Sequence, residues 1–419
     1  MARLALILLV AGCAQLPREQ CPCPPPKPAP ERAQYLEWSY AALPGWDRIS
    51  LEPSLRAFMA GCARAAGPLI NACALASGVE PGDEAAARRF FESAFTPYAL
   101  VSSDTGDTGV ITGYYEPIIR GSRTRSALNR FPIYGVPDDL LVVDLAAVAP
   151  DTRNVRLRGR LEGRRVVPYY SRAEIDARTP ALGDARTPAL GDARTPALGD
   201  ARPDTLRAPV IGWTADPVEL FFMQIQGSGQ LELENGERLR LAFADQNGHP
   251  YRSVGRYLVE RGEMTLDQAS MQNIKAWGVA NPQKLQDALE ANPSYVFFRE
   301  NADPRGPIGA LGVALVPEYS IAVDRRFIPL GAPLFLSTTY PLSDETLVRV
   351  VAAHDTGGAI RGVVRADFFW GTGEQAGALA GRMRQQGKMW LLWPRGEPLP
   401  RTEFGDGART PAPETKPLQ

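Results

Sequence analysis

With 419 residues, 44% of them hydrophobic, the chain can bury a substantial core, and its length suggests two domains rather than one. A formal net charge of −1 argues against a nucleic-acid partner held by excess basic surface, and against a highly charged solvating chain.

The first residues, "MARLALILLVAGC", combine a basic start at Arg3, an apolar run from Leu4 to Val10 and small residues before a cysteine. This predicts a lipoprotein signal over 1–13, with Cys13 lipidated and the mature chain anchored rather than spanning. Clustered prolines over residues 14–40 predict an extended spacer that holds the folded body off the membrane. Cys62 and Cys73 could bridge two neighbouring helical segments in an oxidising compartment, or stay as two buried thiols. With only His249 and His354 in the chain, the Cys21 and Cys23 pair predicts no zinc site, and no metal or other cofactor is assigned.

Residues 53–66 and 83–95 carry apolar side chains at three- and four-residue spacing and predict two amphipathic helices. Short apolar runs broken by glycine, proline and Asn-Gly then predict strands, most clearly a hairpin over Leu220 to Asp245 that turns at Asn235-Gly236. Helices follow from Ser253, from a Thr265 to Gln268 capping box and from Asn281-Pro282. After about residue 304 strands return, with a last helix opened by a Thr372 to Gln375 box. "ARTPALGD", repeated three times over 177–200, is too short and too proline-broken for a solenoid unit and predicts an expanded surface loop. The tail 397–419 predicts disorder.

Three stretches place polar groups where a β core would exclude them. Glycines beside Glu116, Gln226 and Ser228 allow close approach of a ligand, and Tyr114, Tyr115 and Tyr251 offer flat faces with polar tips, a combination that binds sugars; the same stretches also read as turns with core tyrosines. The third stretch holds Asp355 and Asp367, with Asp324 on an earlier strand. An ordinary aspartate is ionised near neutral pH, so an acid that protonates a leaving oxygen needs desolvation or a like charge. Asp367 is followed by Phe368, Phe369 and Trp370, which supply desolvation, and Asp355 supplies the like charge if the loops converge. Arg365, two residues back on the same strand face, pushes the other way, and the sequence leaves that balance open.

The segments "GYYEP", "FFMQIQGSG", "NGHPYRSVGRYL", "NPSYVFF", "SIAVDRRFIPLG" and "HDTGGAIRGVVRADFFWGTGEQAG" occur in order over roughly residues 85–395. Together they resemble the membrane-bound lytic murein transglycosylase A family, and the last part resembles its 3D domain, named for three aspartates that match Asp324, Asp355 and Asp367. The resemblance implies a mainly β fold with a few helices: a double-psi β-barrel from 41–117 plus 303–396, and an inserted β domain at 118–302 that carries the repeat loop. It implies a groove for peptidoglycan glycan strands, with Asp367 as the acid and later base, Asp355 as its support and Asp324 as a structural residue. Glycan contacts fall on Glu116, Tyr115, Gln226, Ser228 and Gly229. The implied reaction cleaves the bond from N-acetylmuramic acid to N-acetylglucosamine and closes a 1,6-anhydro ring, at the periplasmic face of the outer membrane, for cell-wall turnover alongside other cell-wall enzymes. The alternatives are an inverting hydrolase with Asp355 as base, and a glycan-binding barrel without turnover.

Overall fold

The computed structural model describes residues 31–145, 147–149, 157–179, 205–303 and 305–400. The predicted lipidation site Cys13, the spacer up to residue 30, nearly all of the octad repeat and the tail from residue 401 therefore lie outside the described residues. Among the described residues no helix is long and apolar enough to cross a membrane.

The chain begins with strand β1 (Ala33–Glu37), helices α1 (Glu52–Gly61), α2 (Leu69–Ala76) and α3 (Glu84–Ala94), and strands β2 (Phe95–Ser102) and β3 (Gly109–Glu116). Next come β4 (Ile118–Ser122), β5 (Phe131–Tyr134), β6 (Leu141–Val143), β7 (Leu157–Glu162), β8 (Arg165–Pro168), α4 (Arg172–Ala177) and β9 (Val210–Thr214). These lead to α5 (Pro217–Gln226), β10 (Ser228–Leu233), β11 (Arg238–Gln246), α6 (Val254–Glu260), α7 (Met271–Ala280), α8 (Pro282–Glu290) and β12 (Val296–Glu300). The last part holds β13 (Ser320–Val323), β14 (Pro333–Thr339), β15 (Thr346–Asp355), β16 (Ala366–Thr372), α9 (Glu374–Ala380) and β17 (Arg384–Pro394).

Most of these strands form two sheets. One runs β1-β2-β17-β14-β15-β13-β16-β3, with β17 pairing also with β3; the other runs β12-β11-β10-β4-β9-β5. A small third sheet joins β6, β7 and β8. The change of sheet falls at Pro117, the single residue between β3 and β4, and the chain returns to the first sheet at β13. The larger core lies on the first sheet, where Phe58, Phe90 and Phe91 from the helical lead-in and Phe95 of β2 join Phe335 and Trp390. A separate core of Ile119, Ile133, Met223, Leu231, Leu241 and Phe298 supports the second.

Several expectations shift. Residues 33–37, placed in the spacer, pair with β2 as β1, because their backbone donors and acceptors find Tyr98 to Ser102 opposite. Residues 220–226, read as the first arm of a hairpin, belong to α5. The Asp216 side chain caps the amides of Val218 and Glu219, Pro217 takes the first position, and Gly227 ends the helix at φ 79°. The hairpin itself is β10 and β11, turning through Gly236. The helix expected from Thr265 starts at Met271 under a Ser270 cap. Thr372 caps nothing, since its hydroxyl donates to Glu116, and α9 opens after Gly373.

Cys62 and Cys73 are joined in a disulfide across 11 positions, tying the end of α1 to α2. Closing so short a loop constrains the unfolded chain by roughly 2–3 kcal/mol. Paired Cys62→Ser and Cys73→Ser replacement is expected to lower stability by about that amount in denaturant titration, and reductant is expected to affect the wild type alone.

Candidate active site

The short strand β13 organises the site. Its Ala322 lies opposite Asp355 on β15, which runs parallel, and opposite Asp367 on β16, which runs antiparallel. Two strand spacings put the aspartate backbones roughly 10 Å apart, with only the small Ala322 side chain between them. Tyr114, Leu315, Ala322, Ile360 and Phe369 form an apolar cluster beneath. Alternation along β16 puts Phe369 on the face of Asp367, while Phe368 and Trp370 enter the main core. Of the three rings expected to desolvate the carboxylate, therefore, one lies on its face.

Strand β3 supplies the rest. It pairs in parallel with β16, so Thr112 sits opposite Asp367 and Tyr114 opposite Phe369. The residue between them must be glycine: a Cβ at Gly113 would lie 2.7 Å from Trp370 Nε1 and 2.9 Å from Ala380 Cα. Thr112 Oγ1 donates to Asp367 Oδ1 at 2.6 Å and accepts from Arg365 Nη2 at 2.9 Å. Tyr114 donates its hydroxyl to Asp355 Oδ2 at 3.1 Å.

The two carboxyls are held differently. Asp355 accepts from Tyr114 on one oxygen, and from the amides of Ala310 at 2.8 Å and Thr356 at 2.9 Å on the other. Ala310 comes that close because the loop lies against β15, where a Cβ on Gly309 would be 2.5 Å from the His354 carbonyl oxygen. Burial pushes the Asp355 carboxyl up to about 6; the three donors pull it down, and the charge of Asp367 adds to the rise. Asp367 accepts from Thr112 only, and its Oδ2 has no hydrogen-bond partner among the described residues. Burial raises its pKa, outweighing the Thr112 hydrogen bond and the Arg365 charge, which both lower it. Thus the conflict over Arg365 resolves in favour of desolvation. His354, fully buried, shares a 2.8 Å hydrogen bond with Ser320 through Nδ1, and burial depresses its pKa to about 4.

Asp324 stands apart from this pair. It is fully buried, forms a two-pronged ion pair with Arg326, and accepts the Gly362 amide at 2.9 Å. It thus pins the loop between the other two aspartates.

The expected glycan contacts divide. Gln226 and Ser228 are partly exposed, while Tyr115 and Gly229 are buried. Gln226 Oε1 accepts the Tyr115 amide at 3.0 Å, and a Cβ on Gly229 would lie 2.4 Å from Met223 Sδ. Glu116 has no exposed surface. Its Oε2 accepts from Gln230, Arg240 and Thr372, linking the second sheet to the first at the Pro117 crossing. Glu116→Ala would leave those donors unpaired and is expected to cost about 2–3 kcal/mol in urea unfolding. Weakened glycan binding at unchanged stability would instead return Glu116 to the contact set.

Thr112 and Ala310 were missed as site residues, and Tyr114 was noted only for its ring. Thr112 and Tyr114 were findable, because two polar residues at alternate positions of one strand share a face. Ala310 was not, since its amide carries no side-chain signal.

A mainly β protein with two half-buried aspartates flanking one central strand, both with raised pKa, is the class that this fold and site define. Sequence models of known families match at residues 110–299, the MltA specific insert domain, and at 319–393, the 3D domain. The chain is 32% identical to the membrane-bound lytic murein transglycosylase A of Escherichia coli strain K12 over 289 residues, 67% of this chain and 64% of that one. The chain therefore spans just under two thirds of the length of that curated relative. It is similar to crystal structures of MltA from Neisseria gonorrhoeae (39% identity, TM-score 0.72, 87% of this chain and 94% of that one). It is also similar to E. coli MltA with bound chitohexaose (26% identity, TM-score 0.60, 83% and 90%). The chain belongs to the membrane-bound lytic murein transglycosylase A family.

Proposed function

We propose that this protein is a peptidoglycan lytic transglycosylase with Asp367 as its acid and base. The carrying observation is the unequal holding of the two carboxyls: Asp355 accepts three hydrogen bonds, whereas Asp367 accepts one and keeps Oδ2 free. Asp355 has a donor on each oxygen, whereas Asp367 has one oxygen without a donor, an open position from which to pass a proton. Protonated Asp367 protonates the oxygen between N-acetylmuramic acid and N-acetylglucosamine. The C1–O bond breaks, positive charge develops at the muramic C1, and ionised Asp367 takes the proton of the C6 hydroxyl as that oxygen closes on C1. Asp355, held by Tyr114 and two amides, supports the site with its charge and hydrogen bonds. Gln226 and Ser228, partly exposed, are the proposed glycan contacts, with Tyr115, Gly229 and Glu116 behind them.

The pairing of β17 with β3 at its start and with β14 further on supports closure of β17, β14, β15, β13, β16 and β3 into a double-psi barrel. Residues 118–302 would then form the inserted domain, beside a glycan groove. Lipidation of Cys13 would anchor the protein at the periplasmic face of the outer membrane. The chitohexaose bound to the similar E. coli protein supports a glycan as ligand. Mass spectrometry of digested sacculi tests the proposal: products ending in 1,6-anhydromuramic acid are expected. Reducing muramic ends, heavier by one water, would mean the hydrolase, and sacculi bound without release would mean a binding module.

A further inference from the structure

We infer that Arg365, acting through the Thr112 hydroxyl, dictates which oxygen of Asp367 carries the transferable proton. This rests on Asp367 as the acid and goes beyond it, because neither Arg365 nor Thr112 reaches the free oxygen.

A guanidinium has donors and no acceptor, so the Arg365 to Thr112 bond at 2.9 Å makes Thr112 Oγ1 an acceptor there. A threonine hydroxyl has a single hydrogen, and its other partner is Asp367 Oδ1 at 2.6 Å. With Arg365 on one of its two lone pairs, the hydroxyl can either donate to Oδ1 or accept from it; donating pairs the hydrogen and accepting strands it, so the hydrogen is directed at Oδ1. Oδ1 is committed to accepting, and a proton held by Asp367 must sit on Oδ2, the oxygen without a partner. Without Arg365 neither lone pair is held, and the hydroxyl turns more readily to accept from a protonated Oδ1, which aims the acid's proton into the protein. Arg365 is itself held over the start of β16, where Nη1 donates to the carbonyls of Ala366 and Val110, so its direction does not depend on a ligand.

The same chain of donors acts after proton transfer. Once Asp367 is ionised, the Thr112 bond becomes charge-assisted and the half-buried Arg365 faces a full negative charge. Both gains exist only after the acid has given up its proton, so they favour the progress of the reaction and not the binding of glycan. The charged and titratable groups around Asp367 are Arg365 just before its own strand, Asp355 on β15 and Tyr114 on β3; from β13 only Ala322 faces it. Tyr114, its pKa raised by burial, stays neutral, so removal of Arg365 leaves Asp367 with a like charge and no cation.

The test is steady-state kinetics on soluble uncross-linked murein glycan strands across pH, with Arg365→Met, Thr112→Val, the double variant and Thr112→Ser. Arg365→Met and Thr112→Val are each expected to lower kcat by roughly 10- to 100-fold with KM little changed, less than the roughly 10²- to 10⁴-fold that an acid–base group itself contributes. The alkaline limb of Arg365→Met is expected to move to higher pH, since a carboxyl without its cation holds its proton longer. Thr112→Ser keeps the hydroxyl and is expected to restore most of the rate, and the double variant to be no slower than Thr112→Val. A wild-type kcat and pH profile for Arg365→Met would overturn the inference, as would losses in the double variant that multiply. Should Arg365→Met fail to fold, Thr112→Val with a wild-type profile overturns it equally. An Asp367→Asn variant that still turns over removes the acid reading itself, whatever Arg365 does.

Discussion

Asp367→Asn is expected to release anhydromuropeptides about a thousandfold more slowly than the wild type while melting at no lower temperature. Asparagine matches aspartate in shape and its oxygen can still accept from Thr112, so the hydrogen bond at 2.6 Å has a successor. What it lacks is a transferable proton. Stability should hold, because burial already favours the uncharged form of this side chain, and the amide is uncharged at every pH. Liquid chromatography with mass detection of sacculus digests reads the rate, and thermal melting reads the fold. Full turnover by Asp367→Asn would move the acid to Asp355, whose carboxyl is already pushed up to about 6.

The second large effect concerns the third aspartate. Asp324→Ala is expected to destabilise the protein by about 3 kcal/mol, because it removes a fully buried carboxylate from its ion pair with Arg326 and leaves the half-buried Gly362 amide without its acceptor. Asp324 has no exposed surface, and both of its oxygens serve Arg326 while one also holds Gly362. Despite the burial, which pushes its pKa up, Arg326 and the two backbone amides hold the group below the ordinary carboxylate range. Activity should fall only as far as the fold does, since the loop from Thr356 to Arg365 is tied down by this residue. Equilibrium unfolding and turnover measured on one preparation separate the cases: unchanged stability with lost turnover would make Asp324 part of the chemistry. The three aspartates then differ by measurement. Asp367 governs rate without stability, and Asp324 governs stability first.

Local signals were readable where the chain answers to itself. Asp83 and Ser253 cap helices as their positions suggest, and β10 turns through Gly236 into β11 because a positive φ suits glycine. Signals failed where a partner from elsewhere outbid the local one. Thr372 has the spacing of a helix cap, yet its hydroxyl goes to Glu116, which is 256 positions away. Glu116 has the flanking glycine and tyrosines of a ligand contact, yet three donors from β10, β11 and β16 enclose it. The stretch 220–226 is the exception: it alternates well enough for a strand, but the local signals of the Asp216 cap and Pro217 make a helix of it.

Composition, order of motifs and hydrophobic rhythm were enough to determine a mainly β chain, its family and the aspartates worth examining, because those follow from residues near one another in sequence. Only the tertiary structure decided how the aspartates differ. Asp355 and Asp367 become neighbours by flanking β13, a strand from more than thirty positions earlier, and their hydrogen bonds come from β3 and from a backbone amide at Ala310. Whether Arg365 or desolvation prevails at Asp367 is likewise a matter of burial and distance, which long-range pairing sets and local sequence does not contain.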